Sequence, residues 1–162
     1  MKILTSSKAL LTIIVSIFLV SSVFSASQDS TSKTITPLTP VGAWVTIDDL
    51  TDSPRSIVVI TEQNGQLSGI IHKIFYRKGE GPNDVCTKCT GEQHGQKFLG
   101  MQVLANMKQV SSDTWMGGTI LDPESGKTYK CKITVEPNNE KLKVRGYIGV
   151  SLFGRTQTWI RQ

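Results

Sequence analysis

The last third of the chain alternates. Four short segments, 113–121, 127–136, 141–150 and 154–161, carry the alternation, with turns at Asp122-Pro-Glu-Ser-Gly126 and Pro137-Asn-Asn-Glu140. Connections this short join antiparallel neighbours. Tyr129, Cys131, Ile133 and Val135 fall on one face while Lys130, Lys132 and Thr134 fall on the other. Leu142, Val144, Gly146, Ile148 and Val150 likewise oppose Lys141, Lys143 and Arg145. A clean period of two means one buried face and one wet face.

Upstream the same grammar continues. Val41–Ile47 reads as a first strand. Arg55–Gln63 and Gln66–Arg77 flank Asn64-Gly65, a type I′ hairpin signal because that turn needs positive φ at both central residues. Lys97–Val110 reads as a strand passing into a short helical turn. Glycines recur where strands must bend, at Gly69, Gly117, Gly118, Gly146, Gly149 and Gly154. Between the third and fourth strands, Lys78–Gln96 holds Gly79, Gly81, Pro82, Gly91, Gly95 and two cysteines, and reads as one long irregular loop. The early Trp of Gly42-Ala-Trp44 and the late Arg161 can meet only if the sheet closes on itself. The expected fold is all-β: a small closed antiparallel β-barrel of about eight strands, whose interior is packed or holds one small ligand.

Residues 1–26 read as a signal peptide. Lys2 and Lys8 precede an apolar run from Leu10 to Val20, and small residues follow in Ser21-Ser-Val-Phe-Ser-Ala-Ser27. The run is short for a membrane span and ends in a cleavage-like pattern, so the expected product is exported, periplasmic or secreted, with no stable membrane span. Residues 27–40, rich in Ser and Thr, read as a flexible lead-in, and 41–162 as a single barrel domain. Lys2 and Lys8 supply two of the formal net charge of +5. The remaining cations alternate along strands without interleaved aromatics, which argues for a solvated sheet face and against a nucleic-acid partner.

The sequence shows no catalytic constellation and no cofactor or metal motif. There is no Gly-x-Ser-x-Gly, no His-Glu-x-x-His and no phosphate loop, and only two histidines, His72 and His94. Cys86-Thr-Lys-Cys89 admits four readings. An exported, oxidising setting favours a local disulfide. A redox pair would need a helix start. Zinc would need a fourth ligand beyond Cys86, Cys89 and His94. Covalent haem would need His where Thr90 stands. Cys131, on an inward face, reads as a small buried hydrophobe. Asp48-Asp49 point to opposite faces of a strand and edge a turn with Thr51, Asp52 and Pro54.

A set of local patterns resembles the bacterial family called domain of unknown function 2147. They are Gly42-x-Trp44, Asp48-Asp49, Pro54-Arg-Ser-Ile57, Cys86-x-x-Cys89-x-Gly91, Gly117-Gly118, Asp122-Pro-x-x-Gly-Lys-x-Tyr129, Val144-Arg-Gly-Tyr147 and Gly154-Arg-Thr-Gln-x-Trp159. Thr51-Asp-Ser-Pro54 departs from the family's usual Gly-Lys before the proline. The resemblance implies a lipocalin-like, calycin-type exported barrel, with no enzymatic activity attached. In lipocalins an Arg covers the Trp of Gly-x-Trp, and here that closing role falls to Arg161 on Trp44.

On the last strand Arg155, Gln157, Trp159 and Arg161 share a face. An inward Arg155 needs a partner, which is either a carboxylate such as Asp48 or Asp49, ordered water, or the carboxylate of an acidic apolar ligand. Trp44, Val144, Tyr147, Arg155, Gln157 and Trp159 are the candidate lining residues, although the parity of its strand sets Tyr147 with the lysines. The expected function is an exported lipocalin-like protein that holds a small, largely apolar or amphipathic molecule. The alternatives are a cell-envelope structural or interaction protein with a self-filled barrel and, last, a thiol-based enzyme.

Overall fold

A computed structural model describes residues 37–162. The expected signal peptide and most of the expected lead-in lie outside the described residues. Eight strands follow in order: β1 (Gly42–Ile47), β2 (Pro54–Gln63), β3 (Gln66–Ile74), β4 (Gln102–Gln109), β5 (Thr114–Asp122), β6 (Lys127–Val135), β7 (Lys141–Tyr147) and β8 (Gly154–Arg161). Each pairs with its sequence neighbour, and β1 pairs with β8 through Trp44↔Arg161 and Val45↔Ile160, so the sheet is a closed antiparallel barrel. The alternation in the sequence places the walls: Cys131, Ile133, Val135, Leu142 and Val144 are all buried. Asn64 and Gly65 both take positive φ, at 53° and 72°, as a type I′ hairpin requires.

Three expectations are corrected. The fourth strand carries no helical turn. Gln102–Gln109 is extended, and the only helical residues among those described are the single 3-10 turn Gly91–Gln93 in the long loop. The seventh strand stops at Tyr147, so Ile148 and Val150, grouped above with the inward face, are exposed on the β7–β8 loop. Leu38–Pro40, assigned by composition to the lead-in, are held against the barrel. The Trp44 indole N–H donates to Pro40 O at 2.7 Å, and Arg161 donates to Thr39 O at 2.8 Å.

The barrel has two unlike ends. At one, the turns β2–β3, β4–β5 and β6–β7 gather with residues 38–41, and Trp44 lies fully buried beneath the Arg161 guanidinium, 4.1 Å from its ring. Ile60, Leu67, Leu104, Met107, Ile133 and Leu142 fill this half. At the other end the β1–β2, β5–β6 and β7–β8 turns and the long β3–β4 loop surround an opening. Cys86 and Cys89 are joined there as a disulfide, and both are buried. The disulfide loop packs on the β5–β6 turn, where a side chain at Gly126 would collide with Lys88 O. In the first turn Asp52 takes a φ of 53°, the conformation that glycine adopts freely, at the position where the resemblance expects a glycine.

Candidate functional site

The open half of the barrel encloses a cavity of about 800 Å³. Its deep wall is apolar. Val58 from β2, Ile71 from β3, Val103 from β4, Leu121 from β5, Val144 from β7 and Trp159 from β8 converge there, each nearly buried. Val58, Ile71, Val144 and Trp159 hold the inner parity of their strands, whereas Val103 sits at a register shift beside the inward Leu104 and Leu121 follows Ile120 at the end of β5. Trp159 sets the boundary with the packed half.

Its mouth is charged, and those charges are largely paired with one another. Arg55 forms a bidentate pair with Glu80, at 2.7 and 2.9 Å, and reaches Glu124 at 3.0 Å. Arg77 pairs with Asp48 and with Glu124, the latter at 3.0 Å. Asp48 also accepts the backbone N–H groups of Leu50 and Thr51, which fixes the first turn. On the opposite side Asp49 pairs with Arg155 and accepts from Gln157 Nε2 at 2.9 Å, while Gln157 Oε1 accepts from the Trp159 indole at 3.4 Å. Six carboxylates border the cavity (Asp48, Asp49, Glu80, Asp84, Asp122 and Glu124) against three guanidiniums (Arg55, Arg77 and Arg155), so the rim is net acidic.

These pairs set a pH dependence. The Arg77 hydrogen bond, then that of the Leu50 N–H, holds the Asp48 carboxyl below its ordinary range, and the Arg55 hydrogen bond does the same for Glu80. A carboxyl depressed in the folded state stabilises above its unfolded value, and that contribution is lost as pH falls through the folded one. Loosening of the mouth is therefore expected only below about pH 4. Amide protection across 75–101, taken as the exchange rate relative to the intrinsic rate at each pH, should stay flat from pH 7 to about pH 4 and then fall.

Of the residues singled out from the sequence, Val144, Tyr147, Arg155, Gln157 and Trp159 border the cavity, whereas Trp44 lies in the packed floor at the far end and does not reach it. Tyr147 is buried despite its outward parity. The strand ends there, and Gly154 opposite leaves the room its ring base needs, since a Cβ at 154 would lie 2.7 Å from Tyr147 Cβ. The acidic-ligand reading required an unpartnered Arg155, and Asp49 occupies that guanidinium. Sequence reasoning missed the Arg55–Glu80–Arg77–Glu124 cluster. Its members come from β2, the long loop and the β5–β6 turn, and no local spacing joins them.

Cys131 is poorly suited to act as a nucleophile. Burial alone pushes the Cys131 thiol up to about 12, far from thiolate formation. Cys86 and Cys89 are bonded to each other, which removes them as zinc ligands. Among the described residues no three His, Cys, Asp or Glu side chains are grouped to hold a metal ion.

Comparison with known proteins fits this architecture. A family model described as "Uncharacterized protein conserved in bacteria (DUF2147)" matches residues 42–161. A solved structure described as "Protein HP1028 from the human pathogen Helicobacter pylori belongs to the lipocalin family" superposes with a TM-score of 0.67. The two are 20% identical, and the match covers 77% of this chain and 84% of that one. At that identity the likeness speaks to the fold, a lipocalin-like barrel. No match was found among curated proteins.

Proposed function

The chain belongs to the bacterial DUF2147 family, and we propose that it is an exported binding protein that holds one small, largely apolar and uncharged molecule in the open half of its barrel. The observation that carries this reading is the cavity: about 800 Å³, apolar in its depth, with its rim charges engaged by one another. That volume lies within the usual range for small-molecule pockets. A ligand burying about 200 Å² of apolar surface against Val58, Ile71, Val103, Val144 and Trp159 would gain roughly 5 kcal/mol from burial, before the cost of immobilising it. The acidic rim disfavours anions, and the deep wall offers apolar contacts with no charged side chain for a ligand to meet. Export rests on the N-terminal sequence alone. The self-filled alternative describes only the half around Trp44.

The test uses the neutral probe N-phenyl-1-naphthylamine. Its fluorescence should rise on binding, with transfer from Trp159. Val144→Phe, which fills the cavity floor, should weaken binding about ten-fold or more. Equal binding by wild type and V144F, or no probe binding together with no small molecule in organic extracts of the purified protein, would overturn the reading. Export is checked separately, by a mature mass lacking the first 26 or so residues.

A further inference from the structure

We propose that the β7–β8 loop, Ile148–Phe153, is a membrane-docking element that sets the cavity mouth against an anionic bilayer surface. Large apolar side chains are unevenly exposed on this barrel. Leu152 is 79% exposed, Phe153 72%, Ile148 71% and Val150 60%, and Leu50 on the adjoining β1–β2 turn is 90% exposed. No charged residue interrupts 148–153. A contiguous apolar patch of this kind on an otherwise polar surface marks an interaction site.

Three observations select a lipid surface as the occupant. First, the loop backbone is supplied with hydrogen bonds from within. The Arg145 guanidinium donates to Ser151 O at 2.6 Å and to Leu152 O at 2.9 Å, and Phe153 N–H donates to Val150 O at 3.1 Å. Carbonyls already engaged can enter an interface poor in water at reduced cost. Second, the outer wall directly below the loop is cationic. Lys130 lies in register with Tyr147, and Lys132 with Arg145, so basic side chains flank the apolar tip, the pattern of proteins that bind anionic membrane surfaces. The carboxylates Glu80, Asp84 and Glu124 border the mouth from the long loop and the β5–β6 turn, and Asp49 near the tip is paired with Arg155. The barrel therefore rests on its β7–β8 edge, with the acidic side of the rim turned away. Third, the tip is continuous with the cavity, because Ile148 and Phe153 are at once exposed and part of its lining. An apolar molecule could pass between bilayer and barrel along these side chains without crossing open water.

The docking surface does not depend on the proposed cargo, and its test is arranged to keep the two apart. Cys131 is buried and Cys86–Cys89 is a disulfide, so a single cysteine introduced into the full chain takes a label selectively. A polarity-sensitive dye on Leu152→Cys should shift to the blue with vesicles of phosphatidylglycerol and phosphatidylethanolamine. It should shift much less with phosphatidylcholine, and the same dye on Gln109→Cys at the closed end should not respond. Adding Val150→Asp should raise the vesicle concentration for half-maximal shift about ten-fold or more. Lys130→Glu with Lys132→Glu should remove the preference for anionic lipid. V144F should dock as wild type does, even where it no longer binds the probe. No shift at 152 with anionic vesicles, an equal shift at 109, or indifference to Val150→Asp would overturn the proposal. So would a shift that grows with protein concentration without vesicles, which would make a second copy of the chain the occupant.

Discussion

Replacing Arg161 with alanine is expected to lower stability by about 3 kcal/mol or more, read as a fall in Tm of roughly 10 °C for a domain of this size. The guanidinium does several things at once. It lies 4.1 Å from the Trp44 ring, donates to Thr39 O and to Asn139 Oδ1 at 2.8 Å each, donates to Val41 O at 3.2 Å and also reaches Asn139 O. Loss of the side chain removes a cation–π contact worth about 0.5–2 kcal/mol and takes a donor from each of four oxygens, of which Asn139 Oδ1 keeps the Thr39 N–H. Arg161→Lys should recover only part of the loss, because an ammonium cannot reproduce the planar fork. Gly42 answers Arg161 from the other strand: a Cβ there would lie 2.9 Å from Arg161 Nη1. Since Arg161 borders no part of the cavity, the folded fraction of R161A should bind a cavity probe as wild type does. Chemical denaturation and probe titration of the same variant check both halves of this expectation.

The second large effect is expected at Gly118. This residue is buried on β5, and a Cβ there would overlap Ala105 O and lie 2.7 Å from both Met107 N and Met107 Sδ. Two of these three atoms are backbone of the neighbouring strand, so neither can move without breaking the β4–β5 ladder. Gly118→Ala is expected to cost about 3 kcal/mol or more, at the upper end of overpacking effects. Gly117→Ala is the control. Gly117 has a φ of +83° and no atom within 4 Å of its would-be Cβ, so alanine there meets conformational strain without collision. A loss of about 1–2 kcal/mol is expected. Equal losses at 117 and 118 in denaturant melts would refute the packing argument.

The parts of this molecule legible in the sequence are those governed by a local repeat. Strand faces follow from alternate residues, so Ile133, Leu142 and Val144 read correctly as core, and the Asn64-Gly65 hairpin reads from its turn chemistry. The partnership of Trp44 with Arg161 is long in sequence but follows once the sheet is taken to close. What escaped was settled by where strands end. Alternation carried one step past Tyr147 places Ile148 inside, whereas the strand has already given way to a loop and the side chain faces solvent. The same boundary, with Gly154 opposite, leaves Tyr147 buried despite its outward parity. The β4–β5 ladder hides another surprise. Asn106 and Gly117 both take positive φ, a local irregularity that a strand pattern gives no cause to expect. At the mouth, Asp49 could be named as a candidate for Arg155, but Arg77 as partner of Asp48 could not, because no rule of spacing relates β1 to a loop that starts after β3.

The unlike ends of the barrel divide its tolerance to change. At the closed end the Trp44 ring, the Arg161 fork over it and Gly42 against that fork constrain one another, so a lineage altering any one of them risks the whole architecture. Around the opposite rim, Ile148, Leu152 and Phe153 brace nothing in the core, and substitutions there should leave the scaffold standing. Descendants of such a chain can drift in what they recognise while inheriting the same frame, which makes the loops, rather than the strands, the place where relatives should diverge in specificity.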